Sequence, residues 1–547
     1  MINIKLKLDF ENVILFIFFT VMLFYGAAQI NDYKIDIDYP QGFRATDAFQ
    51  HPGYASHVMD AGNYRYNPAY ASSGYDNTAQ HYPPLLIYLI AMFSFLVDMD
   101  PYNISFLLVV LLASFSALVM YIIIKNFNKS VALLSLPLMP ILFYGGFFIG
   151  FTWGQWGLVI GSFFLISLFW AFTKIKLKHS FIFLGLFLSG TALSHFTEFV
   201  IGIGFIFFYF IIKTINRKLK INELKTVARS LIIFIILSIH YLIIFKFTWL
   251  NYFQEDFTFG KIETTTGAFL VANLSEFSWF LPVILLGLLL ALYLLFIQKK
   301  DNLALIASLY MLFFSYSNYL GIPNLAHRAF QSRFFLPIYL SFFFGLLINQ
   351  IIKYSIKKIN ISKFNNVLIP IITIIIIVFL SFTFYEKNNP GGIMHPDLWD
   401  EFDWIKENTP KNSTLYFFYG DGYLQTGIFF AVQRHSWGVD INEYSKALQE
   451  QTIKREYLSN SNHGMLYVRQ GIFKFERIEF PDSMQDICNF DYYIFDKVGR
   501  FQPIVQYNML IERMFLKLEW MEVVHSAQRY NILKNNKPGE NCVVIEN

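Results

Sequence analysis

Asp47 stands in the run Thr46-Asp47-Ala48-Phe49-Gln50-His51, shortly after the first apolar stretch of the chain. A carboxylate just beyond a membrane span can accept a proton from an acceptor nucleophile, or hold a divalent cation against a phosphate. The other acids nearby, Asp36, Asp38, Asp60 and Asp76, read as ordinary turn acids of a solvated loop. His51 and, at the far end of the same loop, His81 are imidazoles within reach of an acceptor or accessory role. A second group is His327, Arg328 and Arg333, in His327-Arg328-Ala329-Phe330-Gln331-Ser332-Arg333. Guanidinium groups suit bidentate phosphate contact, whereas interfacial snorkelling accounts for a single arginine. His195 and Glu198 sit in Ser194-His195-Phe196-Thr197-Glu198, within a long apolar stretch, where ionisable groups are costly unless the segment reaches water. Glu276 precedes an apolar run, as a helix-capping acid would. Asp421, within Phe418-Tyr419-Gly420-Asp421-Gly422, fits a turn between strand and helix. His240 reads as a packing residue.

These groups need elements to hold them, and composition says which kind. Of 547 residues, 55% are hydrophobic and only 15% charged, with mean hydropathy +0.43. That balance excludes a soluble globule and fits a polytopic membrane protein. The formal charge of +4 comes with no basic stripe interleaved with aromatics, so nucleic acid is excluded as a partner. No CxxC or HExxH pattern points to zinc. Cys488 and Cys542 are the only cysteines, and a disulfide and two buried thiols both fit them.

A spanning helix needs roughly 20 apolar residues. Stretches 13–30, 104–124, 131–149, 158–172, 227–247, 277–297, 303–320, 334–352 and 367–384 qualify. The N-terminus resembles a signal peptide without a cleavage site and is read as a retained first span. Lys5/Lys7, Lys125/Lys129, Lys174 to Lys178, Lys213 to Lys225, Lys299/Lys300 and Lys353 to Lys363 fall at every second loop. Because such residues accumulate on the cytoplasmic side, this alternation orients the chain. Residues 85–97 are too short to cross and are expected along the outer membrane surface, behind Pro83 and Pro84. Residues 180–212 are too long for one span and are expected as a hairpin with its apex at 194–198. The expectation is an all-α membrane domain of about 11 spans over residues 1–385. Its N-terminus is cytoplasmic, and an extracytoplasmic α/β domain follows over residues 386–547. The outward loop 31–81 carries Asp47. In the C-terminal domain, periodicity predicts helices at 396–407, 442–458 and 502–518, with strands at 414–419, 492–495, 531–533 and 543–545.

A long first outer loop with an early Asp, closed by Tyr82-Pro83-Pro84-Leu85 and an interfacial helix, resembles the GT-C superfamily of membrane glycosyltransferases. It is similar both to polyprenyl-phosphate sugar transferases and to the catalytic subunit of oligosaccharyltransferase. The resemblance implies a polyprenyl-phosphate-linked sugar donor and an extracytoplasmic glycan, lipid or protein acceptor. The catalytic carboxylate would be Asp47, and Arg328, Arg333 and His327 would contact the donor phosphate. Leu274-Ser275-Glu276 is similar to the Ser-Val-x-Glu segment of oligosaccharyltransferases, and Asp421 stands in the place of their Trp-Trp-Asp motif. Mg or Mn is the candidate cofactor, with Asp47 as ligand. Two departures matter. The turn Gly150-Phe151-Thr152-Trp153-Gly154-Gln155-Trp156 lacks the acidic metal-binding motif of oligosaccharyltransferases, and Trp-Trp-Asp itself is not reproduced. A transporter or flippase of lipid-linked glycans is the rival reading, but it calls for polar helices at the midplane and repeated halves. A non-catalytic relative keeping the architecture is the third.

Overall fold

The computed structural model describes residues 10–28, 40, 42–44, 47–63, 67–68, 70, 78, 82–246, 272–317, 330–359, 365–384, 392–420, 429–439, 441–450, 452–458, 466–471, 474–478, 486–499 and 502–543. Apolar composition and length make most of the first part helical, because inside a bilayer a helix satisfies every backbone polar group within its own segment. Helix α1 (Phe10–Ala28) is followed by α2 (Asp47–Ala61), α3 (Pro84–Val97) and α4 (Pro101–Lys125). Helix α4 starts where Asp100 accepts a hydrogen bond from the Tyr102 N–H and Pro101 takes the first helical position. Then come α5 (Lys129–Ser135), a 3₁₀ segment (Leu136–Phe143), α6 (Gly145–Thr152), α7 (Trp156–Thr173), α8 (Ser180–Ser194), α9 (Phe196–Ile215) and α10 (Ile221–Phe245). Helices α11 (Leu281–Leu292), α12 (Leu303–Ser315), α13 (Leu336–Ile359) and α14 (Asn365–Phe384) complete the bundle.

Among the described residues, seven helices are long and apolar enough to cross a membrane, or eight if the bent pair Lys129–Phe143 and Gly145–Thr152 counts as one. The stretch 131–149, expected as one straight span, is therefore broken by 57°. Pro137 and Pro140 each remove a backbone donor, and Gly145 at φ +51° turns the chain. The stretch 180–212 is a hairpin, as expected, broken at His195, whose backbone is extended (φ −159°) between α8 and α9. Helix α3 has only 14 residues, too few to cross a bilayer, and leaves Phe95 and Leu96 about 70% exposed.

Helix α4 separates two ends by about 37 Å at 1.5 Å per residue. At its C-terminal end, Lys125 and Lys129 (2.6 Å) pair with Glu11 of α1, which also accepts from the Tyr121 hydroxyl (2.7 Å). Asp301 joins Lys213 (2.6 Å) and Lys218 (2.8 Å). The basic loops that alternate along the chain meet here around one cleft. At the other end, the Tyr102 ring lies 5.0 Å from Trp399 of the C-terminal part, edge to face. The Ile393 N–H donates to the Phe43 carbonyl (2.8 Å), and Lys411 pairs with Asp60 (3.1 Å). A single bridge joins Thr78 to Val468.

The C-terminal part is α/β. Helix α15 (Pro396–Asn408) precedes a five-stranded sheet in the order β2-β1-β5-β7-β6. Strands β1 (Thr414–Phe418), β2 (His435–Gly438) and β5 (Tyr492–Asp496) run parallel, and β7 (Tyr530–Asn535) and β6 (Met521–Ser526) continue antiparallel. Tyr416 and Tyr493 are fully buried in the sheet. On the helix Gln502–Phe515, Asn508 donates to the carbonyls of Phe418 (3.3 Å) and Tyr419 (3.1 Å), holding helix to sheet. The stretch 442–458, expected as one helix, is split into Ile441–Glu450 and Arg455–Leu458. Val543 lies outside any strand, where 543–545 was expected to be one. Cys488 and Cys542 form a disulfide, with Cα atoms 5.3 Å apart and a sequence separation of 54.

Closing a loop of that length is worth about 4 kcal/mol in the chain-entropy account. The double variant Cys488→Ser/Cys542→Ser should unfold at lower urea concentration, and reduced wild type should follow the same curve. Coincident curves for oxidised and reduced wild type would remove the disulfide from the stability of this part.

Candidate active site at the outer loop

The turn Gly150–Trp156, between α6 and α7, is the floor on which α2 rests. Gly154 adopts φ +83°, and a Cβ there would approach the Ala48 nitrogen to 2.1 Å and the Asp47 carbonyl carbon to 2.5 Å. Only glycine allows this conformation and this approach of two backbones. Asp47 is thereby fixed at the first turn of α2 with its side chain exposed. The helix dipole there favours the ionised carboxylate, an acceptor for a proton or a cation. One turn on, the His51 Nε2–H donates to the Gly154 carbonyl (3.1 Å), which leaves Nδ1 as the acceptor nitrogen. Burial pushes His51 down to about 4; the bond to Gly154 opposes that shift, and nearby His195 adds to it. His51 is therefore neutral at neutral pH. Its ring lies 6.0 Å from Trp156 and 6.4 Å from Tyr82, closing the site from the side. The loop before α2 is stitched to the same floor, the Arg44 N–H donating to the Thr152 carbonyl (2.8 Å).

The segment after the second basic motif packs on the other flank of this turn. Phe334 lies over Gly150, where a Cβ would come within 2.9 Å of its ring, and the Gln331 amide donates to Gln155 (3.4 Å). Arg333 is only 3% exposed. Its Nε–H donates to the Ser315 carbonyl (2.8 Å), Nη1 reaches Asn273 (3.4 Å), and the guanidinium lies 4.3 Å from the centre of the Tyr316 ring. Glu276 caps a helix, though not its own: it accepts from the Gly146 N–H (3.2 Å) at the start of α6. His195 holds Glu198 through Nδ1, and Glu198 is fully buried, so the hairpin tip does not carry it into water. The pair sits in a slot made by glycines on α7: a Cβ at Gly157 would lie 3.5 Å from His195, and one at Gly161 3.1 Å from Glu198. Tyr339, of α13, lies close to Glu198 and Ser162.

Asp47 and His51 thus lie on one flank of the turn and the segment carrying Arg333 on the other. Glu276 stands at the start of α6, and His195 and Glu198 lie against α7. His81, His327, Arg328 and Asp421 lie outside the described residues. Sequence reasoning noticed the turn for the acids it lacks and passed over Gly154 and Gln155, which hold the site together. Two signals were present: a glycine between two tryptophans, and the small-xxx-small spacing Gly157/Gly161 on an apolar helix. Among the described residues, no group of three or more His, Cys, Asp or Glu side chains could hold a metal ion. Among the described residues, the side chains around Asp47 do not form a cation cage.

A membrane helical bundle with α2 folded onto one end, and an α/β part over that same end, is a fold shared with solved structures of AglB, ArnT and AftD. No protein-family model matches the chain, and no curated protein matches it in sequence. Among solved structures, the Archaeoglobus fulgidus oligosaccharyltransferase AglB, in complex with an inhibitory peptide and a dolichol-phosphate, is similar at 11% identity and TM-score 0.53. That match covers 78% of this chain and 64% of AglB, so the chain spans under two thirds of the archaeal enzyme. ArnT from Cupriavidus metallidurans, bound to undecaprenyl phosphate, is similar over 98% of this chain and 99% of its own, at 8% identity and TM-score 0.52. The mycobacterial arabinofuranosyltransferase AftD matches 96% of this chain and 40% of itself, at 9% identity and TM-score 0.53. At these identities the likeness is one of fold.

Two outcomes follow from the geometry. Gly154→Ala should lower stability by more than about 2 kcal/mol in thermal or denaturant unfolding, because a methyl group meets backbone and the conformation is strained. For His51, the folded value lies below the free value of about 6.5. Its contribution, up to about 3 kcal/mol, is complete above that pH and is lost as pH falls toward 4. Melting temperatures measured from pH 7 to 4 should fall less steeply for His51→Gln than for wild type, and equal slopes would refute the assignment.

Proposed function

We propose that the protein is an integral membrane glycosyltransferase, moving a sugar from a polyprenyl-phosphate-linked donor to an acceptor on the outer face of the membrane. The acceptor nucleophile attacks the anomeric carbon with inversion, the bond from that carbon to the phosphate oxygen breaks, and polyprenyl phosphate departs. Asp47 takes the acceptor's proton. Arg333, with Arg328 and His327, provides positive charge for the departing phosphate. His51, neutral with Nδ1 as an acceptor, orients the acceptor beside Asp47. The α/β part helps to choose that acceptor, a glycan, lipid or protein. The N-terminus and basic loops face the cytoplasm, the α/β part faces outward, and α8, α12 and α14 cross with the longer helices to make about 11 spans. A lipid donor accounts for a membrane-embedded enzyme, since its headgroup arrives already concentrated at the interface.

The observation that supports this reading most is the shared floor. The helix that begins with Asp47 and the segment containing Arg333 flank the same turn, through Gly154 on one side and Gly150 and Gln155 on the other. The bound dolichol-phosphate of AglB and undecaprenyl phosphate of ArnT belong to proteins of the same fold.

Loss of a general base costs on the order of 10²–10⁴ in rate. At matched expression, cells carrying Asp47→Asn should lose the glycosylated product and accumulate the lipid-linked sugar. Unchanged product and carrier levels would remove Asp47 from this role.

A further inference from the structure

The end of the bundle remote from the α/β part holds a cleft of about 1170 Å³. Eight Lys and Arg side chains line it against two carboxylates, Glu223 and Asp301. Both acids are already engaged, Asp301 with Lys213 and Lys218, and Glu223 with the Tyr209 hydroxyl (3.5 Å). Lys176, Arg217, Lys220, Lys299, Lys300 and Lys353 have no carboxylate partner among the described residues. Such a concentration of positive charge is self-repelling unless an anion enters it.

Two of these cations stand where the backbone would prefer another residue. Arg217, just past the end of α9, and Lys299, past Gln298, have φ of +56° and +51°. Around each, a chain-reversing hydrogen bond closes the helix end, Lys218 N–H to Lys213 carbonyl (2.8 Å) and Lys300 N–H to Leu294 carbonyl (2.9 Å). Glycine fits the left-handed position of such a cap without strain, yet both carry a cation here. Lining the cleft, Asn349 is 2% exposed and its amide oxygen has no hydrogen-bond partner among the described residues. Turned over, that amide offers an N–H to an anion at the same place.

The surroundings say which anion. Ile211 and Ile215, six and two residues before Arg217, are 55% and 61% exposed, and Phe296 and Ile297, just before Lys299, are 51% and 70% exposed. On a spanning helix such surface faces acyl chains, so the cations beside it sit at headgroup depth. Phe127, Phe172, Leu294 and Leu346 make the cleft wall apolar next to the charges. We infer that this cleft binds the phosphate headgroup of an anionic phospholipid, with Arg217 and Lys299 among its contacts and an acyl chain along the adjoining apolar helix surface. A basic pocket between spanning helices is the general form of such recognition. This site stands apart from the outer loop and does not depend on the reaction proposed there.

The test is thermal unfolding of the purified full-length protein in phosphatidylcholine-doped detergent micelles, with cardiolipin or sodium pyrophosphate added. Arg217→Gly/Lys299→Gly removes two cations and relieves two strained positions, so in phosphatidylcholine alone it should melt at or above the wild-type temperature. Lys178→Gln/Lys225→Gln removes the same charge outside the cleft. Cardiolipin should raise the melting temperature of wild type and of this control. The glycine variant should need roughly tenfold or more cardiolipin for half of that rise. Equal cardiolipin responses in all three proteins would overturn the inference, as would a response to pyrophosphate with none to cardiolipin. A glycine variant that melts below wild type in phosphatidylcholine alone would overturn the reading of its two residues as strained.

Discussion

The contact of two backbones at Gly154 organises the end of the bundle that meets the α/β part. No side chain fits between residue 154 and the Asp47–Ala48 peptide, so α2 lies directly on the turn between α6 and α7. That single approach sets where Asp47 projects and brings His51 within hydrogen-bond distance of the same glycine's carbonyl. It also carries the far end of α2, with Asp60, to the surface that meets Lys411 of the α/β part. The neighbouring strand of loop is pinned from both sides, Arg44 to Thr152 below and Phe43 to Ile393 above. Residues 42–44 and α2 thus form a layer between bundle and α/β part.

The bilayer accounts for how the rest of the bundle is arranged. Unpaired charge cannot remain among apolar helices, so Glu198 is closed against His195, and Glu11 takes two lysines and a tyrosine. Close helix approach depends on small residues rather than on apolar area, since lipid is as apolar as leucine. Gly157 and Gly161 admit the His195–Glu198 pair, and Gly287 of α11 lies against the Phe343 backbone of α13, where a Cβ would meet the carbonyl oxygen at 2.0 Å. The cations left over gather at one end, where water and headgroups can solvate them.

Much of this was legible beforehand. The alternation of basic loops predicted a two-sided bundle, and Lys125, Lys213 and Lys299 do fall at one end of it, away from Trp399 and Lys411. The break at His195 and the short helix after Pro83 were equally readable, because length and proline act locally. The bend at Tyr144–Gly145 was not. Hydropathy averages over the run 131–149 and hides the two prolines and one glycine that break it. In the α/β part, β2 (His435–Gly438) and β6 (Met521–Ser526) escaped notice. Each has its place only through the partner strand it pairs with.

The sequence by itself determined the membrane class, the gathering of the basic loops at one end of the bundle, the α/β character of the C-terminal part and the position of a candidate carboxylate. Each of these follows from composition or from periods of a few residues, which operate without knowledge of the fold. Tertiary structure alone decided that the helix beginning at Asp47 and the segment carrying Arg333 flank one turn and that Glu276 caps α6 rather than its own helix. It also paired Cys488 with Cys542, and gathered around one cleft six cations that have no carboxylate partner among the described residues. Those relations join residues tens to hundreds of positions apart, and their energies come from packing and from electrostatics in a low-dielectric interior. No local pattern encodes such terms.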